Sequence, residues 1–468
     1  MTTDPAGTTP PFQNPSEARA PLLRREYLLP FILLTICFPA WAVANNMTDP
    51  LVRTFSRVFT MSTFQSSLVQ FSFYGAYFCL AIPAAILIKR YTYKTGVLVG
   101  LGLFITGALL FFPASRLMEF YFFLMAIFIL ASGLSILETS CNPYIVAMGD
   151  EKTATRRLNL AQAFNPVGAV LGTMLAGFLI LPKINPLTDE ERAVLSMAEI
   201  REIRSEELAA VMGPYLGMAV VLIFLWLAIA FVRMPKASDA GPSINFSPTV
   251  RRLIKNRHYS FGVVAQFFYV AAQICVWTFT IYYVADIVDD GGGEPLIGFL
   301  EATGIIGLVQ GIRLIQPDQV MTGETVAGIY HVCALFVFLV FRFVCTGLMH
   351  IIRPSAMLLV MGVLAMVLSV VVMSSPNLVG VLALICISGC MSLMFPTIYG
   401  IALQGLKEDT KLGAAGLIMA ILGGALFPLL QGALVDAWGA PLSYVIPLIC
   451  FVVVSAYATF DLKMKRTL

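Results

Sequence analysis

Glu138 and Asn142 stand four residues apart in an otherwise apolar stretch, which places a carboxylate and an amide one helical turn from each other. A charged side chain deep in hydrocarbon costs about 2.5–3.5 kcal/mol on insertion scales, so an acid in such a place is expected to line a water-filled path or to bind a proton. Beyond a charged turn (Asp150, Glu151, Lys152, Arg156, Arg157), the chain re-enters apolar sequence with Asn159, Gln162 and Asn165 at three-residue spacing, roughly on one helix face. The stretch WAVANNMTDPLVRTF pairs Asn45 with Asp49 in the same way, with Asn46 beside them. Further on, AQFFYVAAQICVW carries Gln266, Gln273 and the flat apolar face of Trp277. Carboxylates and carboxamides suit the alternating hydroxyls of a sugar, a carboxylate in low dielectric favours its protonated form, and an indole can stack on a sugar ring. Plainer readings stand beside these: Asp49, just before a proline, can cap an outer turn, and Trp277 can serve packing or interface anchoring.

These groups need helices to hold them. Of 468 residues, 58% are hydrophobic and 12% charged, and the mean hydropathy is +0.84; no soluble core could hide so much apolar surface, so the fold class is an all-α membrane protein. Apolar segments fall at about 27–49, 64–88, 95–114, 119–147, 158–181 and 213–233, and then at about 261–285, 325–349, 354–374, 377–404, 413–435 and 440–460. Each is long enough for one crossing, giving twelve transmembrane helices in two six-helix bundles. The expected organisation is a disordered tail at 1–26, a first bundle at 27–233, a cytoplasmic linker at 234–260 and a second bundle at 261–468. The Pro-rich tail lacks the apolar core and cleavage site of a signal peptide.

Orientation follows from the basic residues. With the N-terminus inside, the inner segments hold 21 of the 30 Lys and Arg residues and the outer segments eight, so both termini are expected in the cytoplasm and the chain in the plasma membrane. The outer segment 182–212 contains LTDEERAVLSMAEIREIRSEELAAV and reads as a short amphipathic surface helix. The segment 286–324 includes GFLEATGIIGLVQGIRLI, which tempts a thirteenth crossing. Glu301, Arg313 and four glycines argue against it, and a membrane-surface helix is expected instead. SGLSILETSCNPYI near 132 resembles SGCMSLMFPTIYG near 388, an echo between halves in which Met391 stands where Glu138 would fall.

Other residues have simpler explanations. The nine cysteines lack CxxC spacing and read as small hydrophobes; the three histidines have no ligand spacing, and no metal or cofactor is expected. Arg342, in VFRFVCTG, can bind substrate or acid, but it can equally snorkel to the inner surface or hold a gate. Gly168, Gly172 and Ala176, and Gly413, Gly416, Gly423 and Gly424, read as helix-packing positions, and Asp436 as a cap or hinge. No P-loop or HExxH appears, which excludes an ATP-driven pump and an enzyme of those classes. A net charge of +3 spread in short clusters excludes a nucleic-acid partner.

The motifs WAVANNMTDP, FQSSLVQFSFYGAYF, IPAAILIKRYTYKTG, LETSCNPYI, RLNLAQAFNPVGA and AQFFYVAAQICVW together resemble the fucose permease group of the major facilitator superfamily, strongly over about 27–285 and more weakly beyond. The resemblance implies a two-domain sugar:proton symporter with Asp49 and Glu138 as its acidic pair for proton coupling and sugar recognition. It further implies that Gln162 and Asn165 meet sugar hydroxyls and that Trp277 contributes from the second half. Asn45, Asn46, Asn142 and Gln273 complete the expected site. The expected activity is monosaccharide import, L-fucose first and glucose or galactose second, by alternating access in a monomer whose partners are sugar, protons and lipid. A proton-independent facilitator and a non-transporting sugar sensor are the alternatives. Phe395 stands where relatives tend to have tyrosine, and the 286–324 segment is unusually long.

Overall fold

The computed structural model describes residues 22–58, 63–175, 179, 194–234, 246–311 and 321–464, with the backbone alone described for 48–58, 63–71, 211, 246 and 324. The first half comprises α1 (Leu28–Val58), α2 (Thr63–Arg90), α3 (Tyr93–Leu117), α4 (Phe120–Ala147), α5 (Glu151–Gln162), α6 (Asn165–Leu175) and α7 (Met197–Phe231). A linker helix, α8 (Phe246–Lys255), leads to α9 (Arg257–Ile287), α10 (Gly293–Ala302), α11 (Ile305–Gly311), α12 (Gly323–Leu348) and α13 (Pro354–Ser374). The second half ends with α14 (Leu378–Met391), α15 (Met394–Ala402), α16 (Thr410–Met419), α17 (Gly423–Trp438), the short α18 (Ala440–Ser443) and α19 (Val445–Met464). Among the described residues, 11 helical stretches are long and apolar enough to cross a membrane. The split segment α5–α6 supplies the twelfth crossing of this all-α membrane protein.

The splits have chemical causes. Pro166 has no N–H to offer Gln162 and its ring crowds that carbonyl, so the fifth crossing breaks between Gln162 and Asn165; Pro396 does the same to the tenth at Ser392–Leu393. Breaks at this depth are tolerated because the freed groups are enclosed by other helices. The apolar residues form two cores, one built mainly from α1–α7 and the other from α9–α19.

Small residues bring the helices close. A Cβ on Gly133 of α4 would lie 2.6 Å from the carbonyl oxygen of Gly100 on α3, and one on Gly168 of α6 would overlap the carbonyl oxygen of Pro39 on α1. In a bilayer, where lipid tails are as apolar as leucine, such close backbone contact is a main source of helix attraction.

Four expectations change. The first crossing does not stop near 49; α1 continues through Pro50 to Val58. The acidic stretch after 196 is not a separate surface helix but the opening turns of α7, started by a Ser196–Glu199 capping box and continued by its Ala, Glu and Leu content. Positions 182–193 lie outside the described residues. Within 286–311, a wide turn at Val288–Gly292, with Gly291 at φ 90°, leads to two short helices in place of one surface helix. The carbonyl of Leu296 on α10 accepts from the Tyr330 hydroxyl of α12, and Leu296 and Leu300 are buried. The linker is part helix: α8 places Arg252 in a bidentate pair with Asp409, at 2.6 and 2.9 Å.

Gly168→Val is expected to overpack the α1–α6 contact, an effect of typically ~1–3 kcal/mol in a filled interior. Gly217→Val serves as the comparison, since nothing lies within 4 Å of a Cβ there. Melting of the detergent-solubilised protein should fall clearly for the first variant and little for the second.

Candidate functional site

α4 is buried along its whole middle, from Leu130 to Ile145, and Glu138 sits in that stretch. The Tyr77 hydroxyl of α2 donates to Glu138 Oε1 at 3.1 Å, so the carboxylate is oriented from a neighbouring helix. One turn toward the face where the described chain begins and ends, Asn142 Oδ1 accepts from Gln162 Nε2 at 2.9 Å. Because α5 stops there, Gln162 ends its helix and Asn165 opens the next, its Nδ2 donating to the Phe38 carbonyl of α1 at 3.3 Å.

Glu138, Gln162 and Asn165 share one cavity with Asn45, Asn46, Trp41 and Tyr77 of the first half. From the second half come Gln273 and Trp277 of α9, Phe338 and Arg342 of α12, Phe395 of α15 and Ile421. Its volume of about 160 Å³ is far above the ~10–15 Å³ that a single water requires. The walls are chemically unequal. Four carboxamides, a carboxylate and two phenols come from the first half, while the second is mainly aromatic and aliphatic around one amide and one guanidinium.

Asn45, Asn46, Glu138, Gln162, Asn165, Gln273 and Trp277 thus meet at one place. Asn142 does not: it is fully buried, is absent from the cavity wall and acts through Gln162. The Asp49 backbone belongs to α1, and its side chain lies outside the described residues. Gln266 is buried away from the cavity. Several wall residues went unnoticed in the sequence, Tyr77, Trp41 and Phe338 among them. Tyr77 was hidden among the aromatics of FQSSLVQFSFYGAYF, and Trp41 and Phe338 carry no polar signal. Arg342 neither snorkels nor lies idle: it is 3% exposed, lines the cavity and packs over the Phe338 ring at 5.0 Å, while Phe338 contacts Trp277.

Between the cavity and the face carrying the chain ends, the halves are bound together. Asn159 Nδ2 donates to Thr397 Oγ1 at 3.2 Å, Gln404 Nε2 to Thr155 Oγ1 at 3.4 Å, and the Gly405 N–H to Glu151 Oε1 at 2.9 Å. Gly405 has φ +73°, a conformation that glycine adopts without a Cβ clash. Lys411 lies 5.3 Å over the Tyr93 ring, and Gly400 packs directly on Thr155. These contacts close the cavity on that side.

The family model of the major facilitator superfamily matches residues 31–421. The chain is 40% identical to the L-fucose-proton symporter of Haemophilus influenzae, over 94% of this chain and 97% of that protein. It is 30% identical to the glucose/galactose transporter of Brucella abortus, over 97% and 99% respectively. The solved structure of a major facilitator superfamily transporter, FucP, in the outward conformation superposes with a TM-score of 0.81 at 32% identity, and that of the E. coli fucose:proton symporter FucP with 0.79 at 31%, each covering 93% of this chain and 99% of that one.

The closure is open to a chemical test. In a variant whose native cysteines are replaced by serine, Asn45→Cys should react readily with a hydrophilic maleimide and Asn159→Cys should be protected. Equal labelling would mean that the cavity is not sealed below Gln162.

Proposed function

The chain belongs to the major facilitator superfamily, and from that premise we propose that it imports a monosaccharide, L-fucose, together with a proton. The observation that carries the reading is the single cavity between the halves, in which a buried, tyrosine-held carboxylate stands among amides and faces aromatic rings. Amides and the carboxylic acid offer both donors and acceptors to ring hydroxyls. The apolar wall of Trp277, Phe338, Phe395 and Ile421 suits the C–H face of a sugar and the methyl group of a 6-deoxysugar.

Coupling follows from burial. With the cavity wet, an ionised Glu138 is solvated; when the halves close over it, water leaves and a carboxylate without a cation becomes expensive. The loaded carrier therefore closes with Glu138 protonated, and the proton gradient biases direction by shifting populations. Asp49 is the second acid of this reading. Gln162 and Asn165 bind hydroxyls directly, Asn142 holds the Gln162 amide in place, and Asn45, Asn46, Gln273 and Trp277 complete the contacts.

The two bundles, 27–233 and 261–468, are taken to rock about this site, with 234–260 as a cytoplasmic strap and 1–26 as a tail of which only 22–26 are described. The Lys and Arg bias supports a cytoplasmic position for both termini, and the chain is taken to act in the plasma membrane as a monomer. The closed, chain-end side is then the cytoplasmic side, and the structure corresponds to an outward-facing carrier. A proton-independent glucose/galactose facilitator is the second reading, its substrate class suggested by the glucose/galactose transporter of Brucella abortus.

Proteoliposomes separate the two. Under an inward proton gradient, wild-type protein should concentrate L-fucose and alkalinise the medium as sugar enters, while Glu138→Gln should lose accumulation and keep exchange. Accumulation by the variant, or sugar entry without proton entry in the wild type, would reject proton coupling through Glu138.

A further inference from the structure

Arg342 is the one charged side chain on the second half's wall of the cavity among the described residues, and its position makes a demand that the proposed site does not yet meet. The guanidinium is buried, and its Nε and Nη1 atoms have no hydrogen-bond partner. Among the described residues it forms no ion pair; it rests on the Phe338 face, with the phenol of Tyr269 on α9 and the thiol of Cys345 on its own helix as titratable neighbours. Glu138 faces the same cavity from the first half, with Tyr77 of α2, Cys141 of its own helix and Tyr399 of α15 as its titratable neighbours. A carboxylate on one wall and a cation on the other are thus separated by the space that alternating access must empty of water.

Resting on the symport reading, we propose that Arg342 is the coupling residue of the second half, pairing with the ionised Glu138 in the empty occluded carrier and with sugar oxygens in the loaded one. Guanidinium N–H groups left unpaired in a dry interior strongly disfavour any state that contains them. Two closed states satisfy them. In one, the cavity is empty, Glu138 is ionised and the two charges meet. In the other, sugar is bound, Glu138 has kept its proton, and Nε and Nη1 donate to oxygens of the sugar. A carrier with protonated Glu138 and no sugar leaves Arg342 without an acceptor, so it does not close and protons do not leak alone. A carrier with sugar and ionised Glu138 leaves the carboxylate short of its cation, so sugar does not cross alone. The same arginine thereby sets both conditions of coupling, and it acts on chemistry supplied by the opposite bundle.

The test uses full-length protein in proteoliposomes and three measurements with L-fucose: exchange at equal sugar on both sides, net downhill flux, and accumulation driven by a proton gradient. Exchange never requires the empty carrier to cross, whereas the other two do. Arg342→Gln removes a sugar contact as well as the cation, so exchange is read at saturating sugar, where its loss should be clearly smaller than the tenfold or greater loss of accumulation. Arg342→Lys, which preserves charge, should recover part of the accumulation. Glu138→Gln should be poor in net flux because Arg342 is orphaned in the empty carrier; adding Arg342→Gln should restore net downhill flux without accumulation. Accumulation by Arg342→Gln within twofold of wild type overturns the proposal. So does a loss of saturating exchange in both Arg342 variants as large as the loss of accumulation, which would leave the residue a binding or folding group only, and so does a double variant no faster than Glu138→Gln. Failure of wild-type protein to accumulate L-fucose at all would instead reject the symport reading on which this rests.

Discussion

A carboxylate buried among helices and open only to one central cavity is the constraint around which this structure is arranged. Glu138 lies in the middle of a helix whose residues from Leu130 to Ile145 are all buried, so no rotation or snorkelling brings it to a surface. Its hydrogen bond from Tyr77 fixes one oxygen, and the cavity supplies the other side with room for water or a hydroxylated ligand. Everything else near it can be read as a way of making that placement tolerable in one state and changeable in another. The amides on the first half provide polar surface, and the aromatic wall of the second limits how much water enters.

The helices are built to allow the change. Close glycine contacts such as Gly133 on Gly100 and Gly168 on Pro39 make firm pairs within the first half. Between the halves, single hydrogen bonds from Asn159, Gln404 and Gly405 and the cation of Lys411 over a ring add to apolar packing, since the first core takes in Ala402, Leu403, Ala414 and Leu417 of the second half. Each hydrogen bond is worth on the order of 1 kcal/mol net, so the polar part of the closure is made of small, separable contributions. The broken fifth and tenth crossings meet across this boundary, where Asn159 of α5 contacts Thr397 of α15. The Pro166 break also lets Gln162 and Asn165 reach the same cavity from two helix ends.

Much of this was legible in the chain because hydrocarbon punishes polar side chains. A lone Glu138, amides at three-residue spacing and an Asn pair before Asp49 stand out against an apolar background, and twelve segments of crossing length fix the architecture. Spacing failed where it had nothing to discriminate. Asn142 shares a helix face with Glu138, yet on a helix buried all around, a shared face does not imply a shared cavity, and its oxygen is taken by Gln162. Arg342 was underrated because a long cation can usually reach the interface; here Phe338 holds it at depth. Tyr77 could not be told from the packing aromatics around it, since the meaning of its hydroxyl depends on α4 lying opposite. The acidic stretch before the sixth crossing carries no helix stop, and α7 runs through it.

The central claim, that sugar binds to a carrier whose Glu138 holds a proton, is tested most directly by measuring L-fucose affinity of the purified protein across a range of pH. Trp41 and Trp277 in the cavity wall provide the fluorescence signal. The wild type should bind more weakly as the pH rises, and Glu138→Gln, fixed in a neutral form, should lose most of that dependence while still binding. A Glu138→Gln variant that retains the full wild-type dependence would contradict the account.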